Sequence, residues 1–375
     1  MMEKLLKMLP ALLAAVLVFG AALYLDNVHG VHTVETQPRE SWVWETETTE
    51  TTEAAEEPAQ QQTEPAETLP ADTEPQQESF QLTFVGDCTL GCRDGHSYID
   101  LGYTKVIGED YGYPFRNVLD YFTGDDFTMV NLEGALCDKG HPVEKAHTFR
   151  GPTAYVNILT GNSVEAVTLA NNHTLDYGQK GYDTTVATLE TAGVPYVERD
   201  SSTIVTTESG LTVGIYGAVY YLFDEADMTT EIAALSEQAD VVVFAPHWGV
   251  EGTYAPTKEQ TRLAHVAIDA GADIVYGSHP HVLQPMEAYN GGIIYYSLGN
   301  FSFGGNIYPD DYDTALIQQE VIRAADGTIS LGQTRIVPAS LSSVSGKNNY
   351  QPTPYPEGTP EYDRVLAKLS GTWEK

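Results

Sequence analysis

This chain of 375 residues is short of cations, of cysteine and, over one long stretch, of apolar side chains. Lysine and arginine total 19 against 53 aspartates and glutamates, giving a formal net charge of −34. Such a surface repels nucleic-acid phosphates and anionic lipid, and no basic stripe offsets the repulsion, so no nucleic-acid partner is expected. There are three cysteines, Cys88, Cys92 and Cys137, with no Cys-x-x-Cys pair, which argues against a structural zinc knuckle. Two readings stay open for them: one bridge from Cys88 or Cys92 to Cys137, or three reduced, partly buried thiols. From Glu45 to Glu78 eleven carboxylates stand without one lysine or arginine, among Thr, Pro, Gln and Ala. That segment buries too little to offset its ordering entropy, so it reads as a disordered, self-repelling spacer. No internal repeat is found.

Ahead of the spacer, Lys4 and Lys7 precede an apolar stretch from Met8 to Leu25, near the lower limit for a membrane span. Gly20-Ala21-Ala22 offers a mediocre cleavage site, inside the stretch rather than after it. The pattern favours an uncleaved signal anchor, with the lysines in the cytoplasm and the body outside the cell membrane; cleavage and secretion are the alternative. The expected organisation is a signal anchor over 1–30, the spacer over 31–79, a globular domain over 80–340 and an irregular tail over 341–375. The tail carries one short helix, near Tyr362 to Leu369.

The globular part is of the α/β class. Strands are expected at Phe80–Val85, Phe127–Val130, Val164–Leu169, Leu211–Tyr216, Val241–Ala245 and Asp273–Tyr276. Helices are expected at Gln179–Ala192 and Thr257–Ala270; in the second, Leu263, Val266, Ala267 and Ala270 share one face and Gly271 is the stop. Then the pattern turns β-rich: Val282–Tyr289, Gly292–Tyr296, Ala315–Ile322 and Thr328–Val337, with Asn290-Gly291-Gly292 as a hairpin signal. Two packed sheets with helices outside accommodate both halves.

Four of the ten histidines fall in three clusters, each directly after an apolar strand: Asn171-Asn172-His173-Thr174-Leu175-Asp176, His247-Trp248-Gly249-Val250-Glu251 and His279-Pro280-His281. Strand ends of an α/β sheet are where ligands collect, and imidazoles converging there with carboxylates and an amide point to metal-assisted hydrolysis. Asn172 offers a carbonyl ligand; His173 offers a ligand or a general acid with Asp176 to orient it. His279 and His281, in extended backbone, would aim both rings to one side. Asp87, Asn131 and Glu133 end the first two strands; each alone is a weak signal. Glu287 and Asn300 add polar groups after later strands.

In order, GDCTLG at 86–91, NLEG at 131–134, LANNHTLDYG at 169–178, HWGVE at 247–251, GSHPHVLQPME at 277–287 and SLGNF at 297–301 resemble the CapA family. This is the capsule or poly-γ-glutamate synthesis group within the calcineurin-like metallophosphoesterase superfamily. The resemblance covers roughly Phe80 to Val337. It implies a four-layer α/β/β/α sandwich and an exported, membrane-tethered protein. It implies metal ligands at Asp87, Glu133, Asn172, His247, His279 and His281, with His173 as the leaving-group acid. Arg150 resembles a family position for binding a substrate anion, with Glu251, Glu287 and Asn300 as further substrate contacts. One departure matters. The superfamily's first motif is Asp-x-His, whereas here it is Asp87-Cys88-Thr89, so one metal position is short of a nitrogen ligand.

The expected function is a metal-dependent hydrolase acting outside the membrane on a polyanionic or phosphorylated envelope polymer or its precursor. The alternative is a non-catalytic component that binds metal or polymer within a membrane polyanion synthase or exporter. A divalent cation is the expected cofactor, with Mn, Fe and Zn all suited to mixed nitrogen and oxygen ligands. Membrane synthase subunits are the expected partners.

Overall fold

The computed structural model describes residues 77–95, 100–222 and 224–374. The expected signal anchor and nearly all of the spacer lie outside the described residues. Among the described residues no helix is long and apolar enough to cross a membrane.

Two large sheets carry the fold. The first runs, in order, Thr353–Pro354, Ile329–Ser340, Asp313–Arg323, Glu78–Thr89, Phe127–Leu132, Ala166–Thr168 and Tyr196–Val197, with Asn300–Phe303 pairing the end of Glu78–Thr89. The second runs Met286–Tyr289, Gly292–Tyr295, Ile274–Tyr276, Val241–His247, Thr212–Val219 and Ser201–Thr206. Glu78–Thr89, Phe127–Leu132 and Ala166–Thr168 are parallel neighbours, as are Thr212–Val219, Val241–His247 and Ile274–Tyr276. All the parallel strands therefore end on one edge of their sheet.

Val241–His247 is apolar nearly throughout because both of its faces are covered. Val241, Val243 and Ala245 join Leu82, Phe84, Met129 and Ile317 in one apolar layer shared by the two sheets. Val242 and Phe244 point the other way, onto helices Glu225–Ser236 and Lys258–Asp269 through Met228, Ile232 and Leu263. On the far side of the first sheet, Val85, Val130 and Val167 meet Leu189 of helix Gly178–Ala192 and Ile158 of helix Val156–Thr160. The period-2 alternation thus sorts side chains into three apolar layers, with helices outermost.

Local chemistry sets the ends of these elements. Thr257 and Gln260 form a reciprocal capping box at the start of Lys258–Asp269, worth about 1 kcal/mol. Asn290 and Gly291 both take positive φ, 46° and 88°, and close the expected hairpin between Met286–Tyr289 and Gly292–Tyr295 as a I′-like turn. The strand expected over Val282–Tyr289 begins only at Met286, because the chain bends through the His279–His281 loop first. Strand Ser201–Thr206 and helix Glu225–Ser236 were not expected; the helix starts at Asp224, whose carboxylate accepts from the Ala226 and Asp227 amides.

The segment after 340, expected as an irregular surface tail with one helix, is built into the fold. Thr353–Pro354 extends the first sheet, and helix Pro360–Leu369 places Val365 and Leu369 in the shared apolar layer. Arg364 grips the buried Asp313 with two 2.7 Å bonds, while Lys368 Nζ lies 2.7 Å from Asp311 and 2.8 Å from Asp313. Lys368 also sits over the rings of Tyr254 and Trp373, at 5.1 and 4.9 Å. The three cysteines are buried free thiols, so no bridge joins Cys137 to Cys88 or Cys92. Cys92 Sγ contacts Thr104 Oγ1 at 3.3 Å instead.

Candidate metal centre

The site is assembled where the parallel strands end. Gly86 lets the first strand pass the Leu298–Gly299 backbone: a Cβ there would stand 2.3 Å from the Gly299 carbonyl oxygen, which accepts the Asp87 amide at 2.8 Å. That contact turns the buried Asp87 carboxylate inward. Its Oδ1 accepts from Asn131 Nδ2 at 2.9 Å, and its Oδ2 lies 3.1 Å from His281 Nδ1. Glu133 follows strand Phe127–Leu132 and is fully buried, yet neither of its carboxylate oxygens has a hydrogen-bond partner. Three imidazole Nε2 atoms surround Glu133 Oε1: His173 at 3.7 Å, His247 at 3.8 Å and His281 at 3.8 Å. Burial, outweighing the attraction of His281, pushes the Glu133 carboxyl up to about 8.

The histidines reveal their tautomers through their partners. Ser278 Oγ donates to the Pro246 carbonyl at 3.3 Å, so at 2.9 Å it accepts from His247 Nδ1–H. The His247 Nε2 lone pair then faces two acceptors, Asn172 Oδ1 at 3.1 Å and Glu133 Oε1. His281 Nδ1 faces the oxygens of Asn300, at 2.9 Å, and Asp87, so it carries a proton. Against the cost of burial, the Glu133 and Asp87 carboxylates raise this ring to about 10, so in the metal-free chain Nε2 also carries a proton toward Glu133, one that a bound cation would displace. His279 Nδ1 is buried with no partner, and its ring centroid lies 4.6 Å from that of His247. Lone pairs turned toward one another and orphaned carboxylate oxygens cost several kcal/mol in a buried place unless a cation lies among them. This donor set of oxygens and imidazoles suits a divalent metal ion. Burial also lowers the pKa of His247 far below the usual imidazole value, and that of His279 below it, which keeps both rings neutral as ligands must be.

The expectation of an extended His-x-His is corrected. His279 and His281 sit in bends with φ of 97° and 58°, and convergence of the rings comes from the bend rather than from strand alternation. Positive φ at a non-glycine residue costs on the order of 1–3 kcal/mol. Asp87 Oδ2 accepting the His279 amide at 3.3 Å, and Asn300 Nδ2 donating to the His281 carbonyl at 3.3 Å, hold that backbone in place.

Beside the cluster, His173 Nδ1 meets Asp176 Oδ2 at 2.7 Å, and its ring packs at a tilt on Phe149, with centroids 4.4 Å apart. The Phe149 amide also donates to Asp176, at 2.6 Å. Burial lowers the His173 pKa against the pull of Asp176. Lys145 was not foreseen. Its Nζ donates to Asp176 Oδ1 at 3.0 Å and to the Asn172 carbonyl at 2.7 Å, tying the acid pair to the amide ligand. It lies in a polar loop that carries no sequence pattern of its own.

Two expected residues are placed elsewhere. Glu287 is engaged on the outer side of the second sheet, where its oxygens meet His265 Nε2 at 2.8 Å and the Tyr296 hydroxyl at 2.7 Å. The Arg150 guanidinium lies over the Tyr177 ring at 4.5 Å and reaches the Gly140 carbonyl at 3.4 Å, because strand Phe149–Gly151 gives its other face to His173. Glu251 and Asn300 are at the cluster, Glu251 within 4.8 Å of donor atoms of His279 and His281.

Residues 81–305 match the model of the bacterial capsule synthesis protein PGA_cap family. The chain is 31% identical over 308 residues to the capsule biosynthesis protein CapA of Bacillus anthracis, covering 72% of this chain and 69% of that protein. It is 28% identical over 300 residues to the PGA biosynthesis protein CapA of Bacillus subtilis, covering 73% and 76%. A solved structure, the NAD nucleotidase of Haemophilus influenzae, is similar at 11% identity and a TM-score of 0.41 over 79% of this chain and 63% of that one. Its ordered motifs, spread over most of the folded part, thus have a common origin: the chain belongs to the bacterial capsule synthesis protein PGA_cap family.

Proposed function

We propose that this chain is a metal-dependent hydrolase of capsule or poly-γ-glutamate biosynthesis, tethered outside the membrane and acting on a polyanionic or phosphorylated envelope polymer or its precursor. The biosynthetic role is carried from the two CapA relatives. The observation that supports the chemistry is Glu133: a fully buried carboxylate with both oxygens unpartnered, among three imidazole nitrogens at 3.7–3.8 Å. Asp87, Glu133, Asn172, His247, His279 and His281 would hold the ion, and Asn300 orients one of them. A divalent ion held there would acidify its water, to a pKa of ~7, and polarise the phosphoryl or carbonyl bond under attack.

The chain's own residues do the rest. Asp176 Oδ2 accepts from His173 Nδ1–H in a 2.7 Å bond, so Nε2 is the nitrogen turned toward Glu133 and the reacting groups. A second proton held at Nε2 passes to the leaving oxygen, and the Asp176 carboxylate orients the ring while it carries both. Lys145 fixes Asp176 and is the cation at the rim that can meet a substrate anion, the part expected of Arg150.

The second reading, a non-catalytic subunit of a polyanion synthase, is favoured by Thr89, which stands where the superfamily has a ligating histidine. The test is turnover of a generic phosphodiester and of poly-γ-glutamate by the full-length chain with and without His173→Ala. We expect loss of roughly 10²–10⁴-fold with metal content unchanged. Turnover that ignores the substitution contradicts the mechanism. Metal and polymer bound with no turnover selects the synthase-subunit reading.

A further inference from the structure

The first motif leaves a gap: after Asp87 come Cys88 and Thr89 rather than a nitrogen ligand. Neither fills it well. The Cys88 Sγ points away, at the Gly86 carbonyl 3.6 Å off. Thr89 offers only a neutral hydroxyl, a far weaker donor to a dication than a carboxylate or imidazole. The remaining donors sort into two sets. Asn172 and His247 face Glu133 from one side, with the tilted His279 ring centred 4.6 Å from that of His247. Asp87, Glu133 and His281 make the other set, with ligand atoms within 4.8 Å of one another. The second set has three donors where the first has four.

Glu251 lies beside the short set. Its carboxylate forms a trio with donor atoms of His279 and His281, all within 4.8 Å of one another, and His281 is the member this trio shares with Asp87 and Glu133. Donors on one ion, at bonds of about 2.0–2.2 Å, stand no more than about 4.4 Å apart, so a small side-chain shift brings Glu251 onto an ion held at His281, which Asp87 and Glu133 reach from the trio that shares this ring. The backbone holds it there: Gly249 and Gly252, at φ of 82° and 71°, turn the loop, and the Gly252 amide donates at 2.9 Å to the carbonyl of Pro280, between the two histidines. Behind the loop, Tyr254 packs on Trp373 with ring centroids 4.7 Å apart.

We infer that Glu251 is a metal ligand that takes the place of the missing first-motif histidine, completing a second metal position with Asp87, Glu133 and His281. This deepens the hydrolase reading and rests on it. The two positions then differ chemically: one is nitrogen-rich, through His247 and His279, and the other has three carboxylates and one imidazole. An oxygen-rich set favours a harder ion such as Mn²⁺ over Zn²⁺.

The test is metal content of the full-length chain after loading with Mn²⁺ and removal of loose ion, by elemental analysis and Mn²⁺ electron paramagnetic resonance. Wild type is expected to hold two equivalents and Glu251→Gln one, with loss of any spin coupling between the ions. Glu251→His is expected to return the second equivalent and to shift it toward Zn²⁺ in competition. Glu251 is exposed, so both variants should fold; matching far-ultraviolet circular dichroism confirms it. Two equivalents retained in Glu251→Gln, or one equivalent in wild type and variant alike, overturns the inference and leaves the hydrolase reading standing. No metal in wild type overturns both.

Discussion

Substituting Glu133 by Gln separates the two burdens this residue carries. In the metal-free chain its carboxyl is raised from 4.5 to about 8 by burial. A raised carboxyl means the folded state holds the proton more tightly than the unfolded chain, so stability is fullest below pH 4.5 and falls as pH rises toward 8. At ~1.4 kcal/mol per pKa unit the full penalty is on the order of 5 kcal/mol. That shift already includes the attraction of His281, so Gln is favoured at pH 8.5 by up to about 5 kcal/mol, or roughly 10–20 °C in Tm. With divalent ion at 100 times its Kd, wild type should gain about 2.7 kcal/mol and the variant nothing. Thermal melts of both chains at pH 4.5 and 8.5, with chelator and with Mn²⁺, measure all four quantities. A variant less stable than wild type in chelator at pH 8.5, or one that still rises with metal, refutes the assignment of Glu133 as a buried carboxylate waiting for a cation.

Two further predictions concern stability away from the cluster. Asp125 Oδ1 is buried without a partner, and burial raises its carboxyl from 3.8 to about 7. Asp125→Asn should therefore stabilise by about 3 kcal/mol at pH 8 and by little below pH 4, read from urea denaturation; an equal effect at both pH values contradicts the cause. Lys368→Met should destabilise by about 3 kcal/mol, because the buried Asp313 and Asp311 lose their shared cation while Arg364 keeps only part of the charge matched. No change in the denaturation midpoint would show that the C-terminal helix is held by apolar contact alone.

The parallel strands were legible because apolar runs such as Val241–Ala245 and Asp273–Tyr276 end abruptly in polar clusters, and each cluster marks a strand end. Helix Lys258–Asp269 was legible within a residue or two at each end, since its apolar face, its cap and Gly271 agree. Features that depend on contact between distant segments were not. The bend at His279–His281 is held by Asp87 and Asn300, neither of which is near it in sequence. Lys145 and Arg150 look interchangeable as loop cations until the pairing of Phe149–Gly151 turns Arg150 to Tyr177. Glu287 looked available until His265, from a facing helix, came within 2.8 Å. The tail was misread because its few apolar residues, Val365 and Leu369, find their partners only once the two sheets exist.

The central claim is that residues from five strand ends converge on a divalent-cation centre. Anomalous diffraction at the metal edge, from crystals of the Mn²⁺-loaded chain, tests it most directly. The account predicts a peak within about 2.0–2.3 Å of the donor atoms of Glu133, Asn172, His247 and His279. Density that lies elsewhere on the molecule, or an empty cluster in a crystal grown with the ion, would contradict it.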